Sequence, residues 1–212
     1  MKNVLSIWDY TPTAGDMEIR NPYLERVLGL VRSMKVNGEP EMNLRGFRDE
    51  LICEYAFSIP CRAVLERIKS FSPVVEIGAG NGYWAWCLSQ CGCDIIAYDS
   101  RPPLEEEPLD IFSGNRWFHD EWAPVNEADA DKAGSHPDRA LLLAWPEPWS
   151  LMASMALFAY REAGGKNLIY IGDPESSGDH IFHEALAGYR LLHSEKLQGW
   201  PGIGDSLLIY QL

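Results

Sequence analysis

The 212-residue chain is short of positive charge. Eighteen Lys and Arg stand against 31 Asp and Glu, a net charge of −13 at neutral pH. A surface of that sign repels phosphate backbones, and no basic run offsets it locally, so no nucleic acid partner is expected. No window reaches the roughly 18 apolar residues of a membrane span, so no membrane is expected either. The first residues show no charged segment leading into a long apolar core, so a secretion signal is not expected. The five cysteines, Cys53, Cys61, Cys87, Cys91 and Cys93, form no C-x-x-C pair. That spacing speaks for free thiols in a reducing, cytoplasmic setting and against zinc. His180 and His183 sit three apart on a helix pattern without a second ligand pair, so no metal is expected. A P-loop lysine, a G-x-S-x-G elbow and internal repeats are also missing.

What is present is enough for one buried α/β domain and a small appendage, with 46% hydrophobic residues. The stretch that organises it is PVVEIGAGNGYWAWCLSQCGCDIIAYD, residues 73–99. Val74, Val75 and Ile77 read as a strand buried on both faces. Gly78, Gly80 and Gly82 then alternate around Ala79 and Asn81, where a backbone free of Cβ atoms lets a ligand come close. A helix starting near 82–83 would turn its first-turn amides toward that ligand. Residues 95–98 make a second buried strand, closed by Asp99 at the distance where open α/β sheets hold a ribose. The dinucleotide pattern G-x-G-x-x-G fails, because its third glycine would fall on Tyr83.

The pattern Glu76-x-Gly78-x-Gly80-x-Gly82, with Asp99 ending the next strand, resembles the S-adenosyl-L-methionine (SAM) site of class I methyltransferases. The resemblance spans about residues 60–212, and only its first half carries specific motifs. It implies a seven-stranded, doubly wound, mostly parallel Rossmann-like sheet with an antiparallel C-terminal strand. It also implies that Glu76 lies near the methionine end of SAM, that the turn of Gly78, Gly80, Asn81 and Gly82 runs beside the ligand, and that Asp99 binds both ribose hydroxyls. In the family, a polar residue after the third strand reads the adenine amino group, and Asp120 is the candidate.

In chain order, residues 1–70 read as an arm and a helical cap or lid, and 71–212 as the SAM-binding domain. Asn21-Pro22 opens one helix, 44–58 suggests a second, and Pro60 opens a third that Ser72-Pro73 ends. A short strand is expected at 116–118, a polar loop at 124–138, and a buried strand at 140–145. Ser150 is expected to cap a helix over 151–163, followed by a strand at 167–171. Two last strands, 188–197 and 206–212, flank the loop QGWPGIGD.

The strand at 140–145 ends in Trp145-Pro146-Glu147-Pro148-Trp149. Amine-methylating members of the family carry Asn/Asp-Pro-Pro-aromatic there, and this chain departs at the first and third positions. Trp145 and Trp149 either face a sulfonium, which an aromatic ring attracts, or pack as core. Trp145, Glu147 and His119 are the candidate catalytic residues, with Glu147, His119 or Asp173 as base. Three readings follow, with SAM as cofactor or substrate. The first is methyl transfer to a small-molecule acceptor. The second is cyclisation of SAM itself, as in azetidine-2-carboxylate synthases, which releases methylthioadenosine. The third is a non-catalytic SAM-binding subunit.

Overall fold

The computed structural model describes residues 4–101, 117–118 and 120–212. The arm starts with a two-residue strand, β1 (Leu5–Ser6). Helix α1 (Pro22–Val36) begins where the sequence indicates: the Leu24 amide donates to Asn21 Oδ1 at 3.1 Å, and Pro22 takes the first helical position. The single helix expected over 44–58 is instead a 3-10 run, Glu41–Phe47, followed by α2 (Arg48–Glu54). Gly46, with no side chain to favour helix, lies at that junction. Helix α3 (Arg62–Lys69) then leads to β2 (Val74–Ile77), α4 (Tyr83–Gln90) and β3 (Ile95–Asp99).

The next strand differs from expectation. Trp117 and Phe118 are not in a strand, and β4 (Val125–Glu127) lies inside the stretch read as loop. It is a three-residue edge, Val-Asn-Glu, with no apolar run to announce it. Pairing makes it a strand, with Ala97 opposite Val125, and the Asn126 side-chain Nδ2 also donates to the Ala97 carbonyl at 3.2 Å. Then follow β5 (Ala140–Ala144), α5 (Met152–Glu162), β6 (Asn167–Gly172), α6 (His180–Leu186), β7 (Arg190–Lys196), β8 (Gln198–Gly199) and β9 (Ser206–Gln211). Helix α5 begins a residue after its expected start, yet Ser150 still serves it, its Oγ accepting from the Met152 amide at 3.2 Å.

Seven strands form one sheet in the order β4-β3-β2-β5-β6-β9-β7. All neighbours run parallel except β9, which is antiparallel to both β6 and β7. This is the expected Rossmann-like architecture. Alternate residues of the central strands face opposite layers. Val75, Leu141, Leu143 and Tyr170 meet α5 and α6, while Val74, Leu142, Ile169 and Ile209 meet the N-terminal helices. Residues on both sides of position 70 therefore share one core. No helix among the described residues is long and apolar enough to cross a membrane.

Trp200 anchors the N-terminal layer. It is fully buried, its indole N–H donates to the Tyr23 hydroxyl at 3.0 Å, and Tyr23 stacks on Tyr55 at 4.9 Å. Beside it, β8 pairs with β1, which fixes the arm to the loop before β9. Trp200→Ala should cost about 3–5 kcal/mol of stability through cavity formation. Trp200→Phe should cost about 1–3 kcal/mol, because it leaves the Tyr23 hydroxyl buried without its donor. Urea denaturation of both variants checks the ordering.

Candidate functional site

Strand order reverses between β2 and β5, so the connections after them leave toward opposite faces and open a crevice at the strands' carboxyl ends. A cavity of about 700 Å³ occupies that crevice. This is within the usual range for a small-molecule site. Of the residues singled out in the sequence, Glu76, Gly78, Gly80, Asn81, Asp99, Trp145 and Glu147 line it. The fold thus gathers residues up to 71 positions apart, 76 to 147, around one space.

The glycine turn is shaped by its own hydrogen bonds. Gly80 has φ +59°, and its N–H donates to Asp99 Oδ2 at 2.9 Å. A Cβ at position 80 would strike the Phe118 ring. Gly82 has φ +76°, and a Cβ there would sit 2.8 Å from the Ala123 carbonyl oxygen. Gly82 does not line the cavity, so its role is to let α4 pack against the 123–125 segment. The amides of Gly78 and Ala79 donate to the Tyr98 carbonyl, and that of Gly82 to Ala79. The Tyr83 amide donates to Asn81 Oδ1 at 3.1 Å. The turn therefore offers close approach more than the free first-turn amides that its sequence suggests. Asn81 is spent on structure as well, its Nδ2 donating to the Glu54 carbonyl at 3.2 Å.

Two acids sit above the glycine turn in different states. Asp99 is half-buried, with Oδ2 on the Gly80 amide and Oδ1 on the Arg101 amide at 2.9 Å. Burial raises its pKa, the two amides oppose that, and the nearby Glu147 charge adds to it. Glu76 is 1% exposed, and its Oε2 has no hydrogen-bond partner. Burial, reinforced by the Asp99 charge, pushes its pKa to about 8.

The end of β5 forms an aromatic wall. Trp145 takes φ 55°, a left-handed backbone that bulky residues rarely adopt and that costs about 1–3 kcal/mol. Its indole N–H donates to Asp205 Oδ1 at 2.8 Å, and its ring stacks on Phe57 at 5.5 Å. Phe57 in turn meets Trp117 edge-on at 5.5 Å, and the Trp117 indole N–H donates to Glu147 Oε1 at 3.0 Å. Trp149 is exposed and outside the cavity, so only Trp145 of the two belongs to this wall.

His119 lies outside the described residues. Asp120 is exposed and does not line the cavity. With β4 as the sheet's outer parallel strand, the position after it falls on Ala128, Asp129, Ala130 and Asp131, all of which line the cavity. Asp129 escaped the sequence reading because β4 did. Asp205 escaped it because it comes from a loop with no motif. Asp173 is buried and holds the Gly204 amide through Oδ2 at 3.1 Å, so it braces the loop carrying Asp205.

No protein-family model and no curated protein matches the chain. Among solved structures, it overlaps an uncharacterised protein from Listeria monocytogenes serotype 4b at 10% identity and TM-score 0.42, over 70% of this chain and 66% of that one. A proposed tRNA methyltransferase from Streptococcus pneumoniae, in complex with SAM, overlaps at 14% identity and TM-score 0.42, over 70% and 72%. An O-methyltransferase from Bacillus cereus, in complex with S-adenosyl-homocysteine, overlaps at 12% identity and TM-score 0.44, over 92% of each chain. At these scores the chain's own geometry carries the functional reading.

The buried Glu76 sets a pH dependence. Its carboxyl holds a proton in the native state up to pH about 8, whereas an unfolded glutamate loses it near pH 4.3. Stability from this group is complete below the unfolded value and is lost as pH rises toward 8. Between pH 5.5 and 8.5 the ligand-free protein should therefore lose stability by up to about 1.4 kcal/mol per pH unit from this one proton. Glu76→Gln should flatten that slope, as read by denaturant melts at each pH.

Proposed function

We propose that this chain binds S-adenosyl-L-methionine in the crevice between β2 and β5 and transfers its methyl group to a small-molecule acceptor. The observation that carries this reading is Asp99, at the end of β3. The backbone amides of Gly80 and Arg101 fix its carboxylate, which leaves lone pairs for two ribose hydroxyls. In this reading Asp129 takes the adenine amino group, and Glu76, with its unpartnered Oε2, takes the ammonium of the methionine end. The sulfonium then faces the wall of Phe57, Trp117 and Trp145, where a cation over an aromatic ring gains about 0.5–2 kcal/mol. The net charge of −13 favours a small acceptor over a nucleic acid.

Methyl transfer asks for alignment more than acid–base chemistry. The acceptor must meet the methyl carbon in line with the departing sulfur, at roughly 3–3.5 Å, and aromatic surface beside the reacting atoms excludes competing water. Glu147 is the candidate base. Its Oε1 is held by Trp117, so Oε2 is the atom placed to take a proton from an acceptor hydroxyl or thiol.

A second reading uses SAM as the substrate. The side chain at 145 is an indole committed to Asp205, so no amide oxygen stands there to hold an acceptor amine. An enzyme that needs no acceptor would be built this way. The α-amine of SAM would attack its own γ-carbon while the carbon–sulfur bond breaks. Methylthioadenosine leaves with the electron pair, and Glu147 accepts the amine's proton.

Asp99→Ala should weaken SAM binding by about 10–100-fold, the value of a charge-assisted hydrogen-bond pair, and Gly80→Val should abolish it. Isothermal calorimetry on folded variants checks both, and undiminished affinity in both would falsify the site. Mass spectrometry after incubation with SAM alone separates the two reactions. Intact SAM is the result expected for methyl transfer, and methylthioadenosine with a new cyclic amino acid is the result expected for the second reading.

A further inference from the structure

Helix α5 is apolar on two opposite sides. Ala153, Ala156, Leu157 and Tyr160 are buried in the core beneath the sheet. Leu151, at its N-terminal end, and Met155 and Phe158 follow each other four and three residues apart and form a stripe on the outside. A helix that is hydrophobic all round belongs in buried surroundings, yet this outer stripe is open to solvent. Among the described residues eleven large apolar side chains are exposed, and four of them, Trp149 and the three of the stripe, fall within ten positions. Residues 148–160 also carry no charge, in a chain with 18 basic and 31 acidic residues. Clustered apolar exposure of this kind marks a surface built to be covered.

The stripe is continuous with the cavity. Leu151 and Met155 are 50% and 51% exposed and line the cavity as well, whereas Phe158 and Trp149 lie outside it. Glu147, the candidate base, is on the cavity wall four residues before Leu151. The apolar surface therefore starts beside the place where an acceptor would lose its proton and runs outward along α5. The Arg161 guanidinium, 5.6 Å from the Phe158 ring centre, marks its far end.

The dimensions of the stripe choose its occupant. Seven residues of helix separate Leu151 from Phe158, roughly 10 Å, which a straight chain of about eight carbons spans. The stripe is one side chain wide, and a stable protein interface takes about 20–30 residues from each partner. A charged tail would find no partner along 148–160, while a hydrocarbon tail would take its own apolar surface and that of the helix out of water together.

We propose that the acceptor is an amphiphile, with a hydroxyl or thiol head that enters the cavity beside Glu147 and a hydrocarbon tail that lies on α5 over Leu151, Met155 and Phe158. This rests on the reading of the crevice given above and deepens it by naming the chemical class of the acceptor.

Calorimetry with straight-chain thiols from propanethiol to decanethiol, on the chain saturated with S-adenosyl-homocysteine, tests the assignment. The wild type should gain about two- to fourfold in affinity per added methylene, and the gain should stop near eight carbons. Phe158→Ser, outside the cavity, should leave the affinities for SAM and propanethiol unchanged and flatten the gain for the longer thiols. Phe158→Leu should restore it. An affinity that does not rise with chain length in the wild type, or a rise that Phe158→Ser leaves intact, overturns the proposal while SAM binding stands. A wild-type dimer that Phe158→Ser dissociates, read by sedimentation, assigns the stripe to a second copy and overturns it as well. Failure of both SAM and S-adenosyl-homocysteine to bind the wild type overturns the reading of the crevice too.

Discussion

The turn at 78–82 is tied to its surroundings by Asn81, whose side chain bonds in two directions at once. Its Oδ1 starts α4 through the Tyr83 amide, and its Nδ2 reaches the carbonyl of Glu54 at the end of α2. The same Glu54 carbonyl accepts the Trp122 indole N–H at 2.9 Å, and the Trp122 amide donates to the Asn81 carbonyl at 2.7 Å. One residue therefore joins the glycine turn, the N-terminal helices and the segment leading to β4. The cavity lies where those three meet, so the helices before the sheet are part of the site's walls, through Ala56 and Phe57.

The second constraint is electrostatic. A chain with 31 acids and 18 bases has buried two carboxyls at or behind its cavity, Glu76 with a pKa near 8 and Asp205 with one near 7. In both, burial is the largest cause. Keeping them protonated lowers the cost of burying them, and a cationic ligand would ionise Glu76 on arrival. Asp205 serves a different end. It holds the indole of Trp145, whose left-handed backbone needs support from its surroundings, and it lies on a loop that Trp200 and β8 tie to the core. Strain at one wall residue is thus offset by packing some distance away.

Much of this fold was legible in the sequence because parallel strands buried on both faces leave continuous apolar runs. Val74–Ile77, Ile95–Asp99, Ala140–Ala144 and Asn167–Gly172 could each be read that way, and the order of strands and helices then fixed the sheet. The acidic and glycine part of the site was legible for a related reason, since close backbone approach requires glycine and a strand end presents its last side chain to the crevice. β4 was not legible, because a three-residue edge with a single apolar residue, Val125, has no pattern of its own, and Asp129 was missed with it. The parallel pair of β1 and β8 was hidden for the same reason. Asp205 stands behind Trp145 through tertiary packing, which no local spacing records.

The central claim is that Asp99 and the glycine turn form a nucleoside site in the crevice between β2 and β5. The most direct test is a crystal structure of the chain grown with saturating S-adenosyl-L-methionine. The account predicts the adenosyl group in this cavity, both ribose hydroxyls on the Asp99 carboxylate and the adenine beside Asp129. Ligand density at another place, or an empty crevice in crystals grown at saturating ligand, would contradict it.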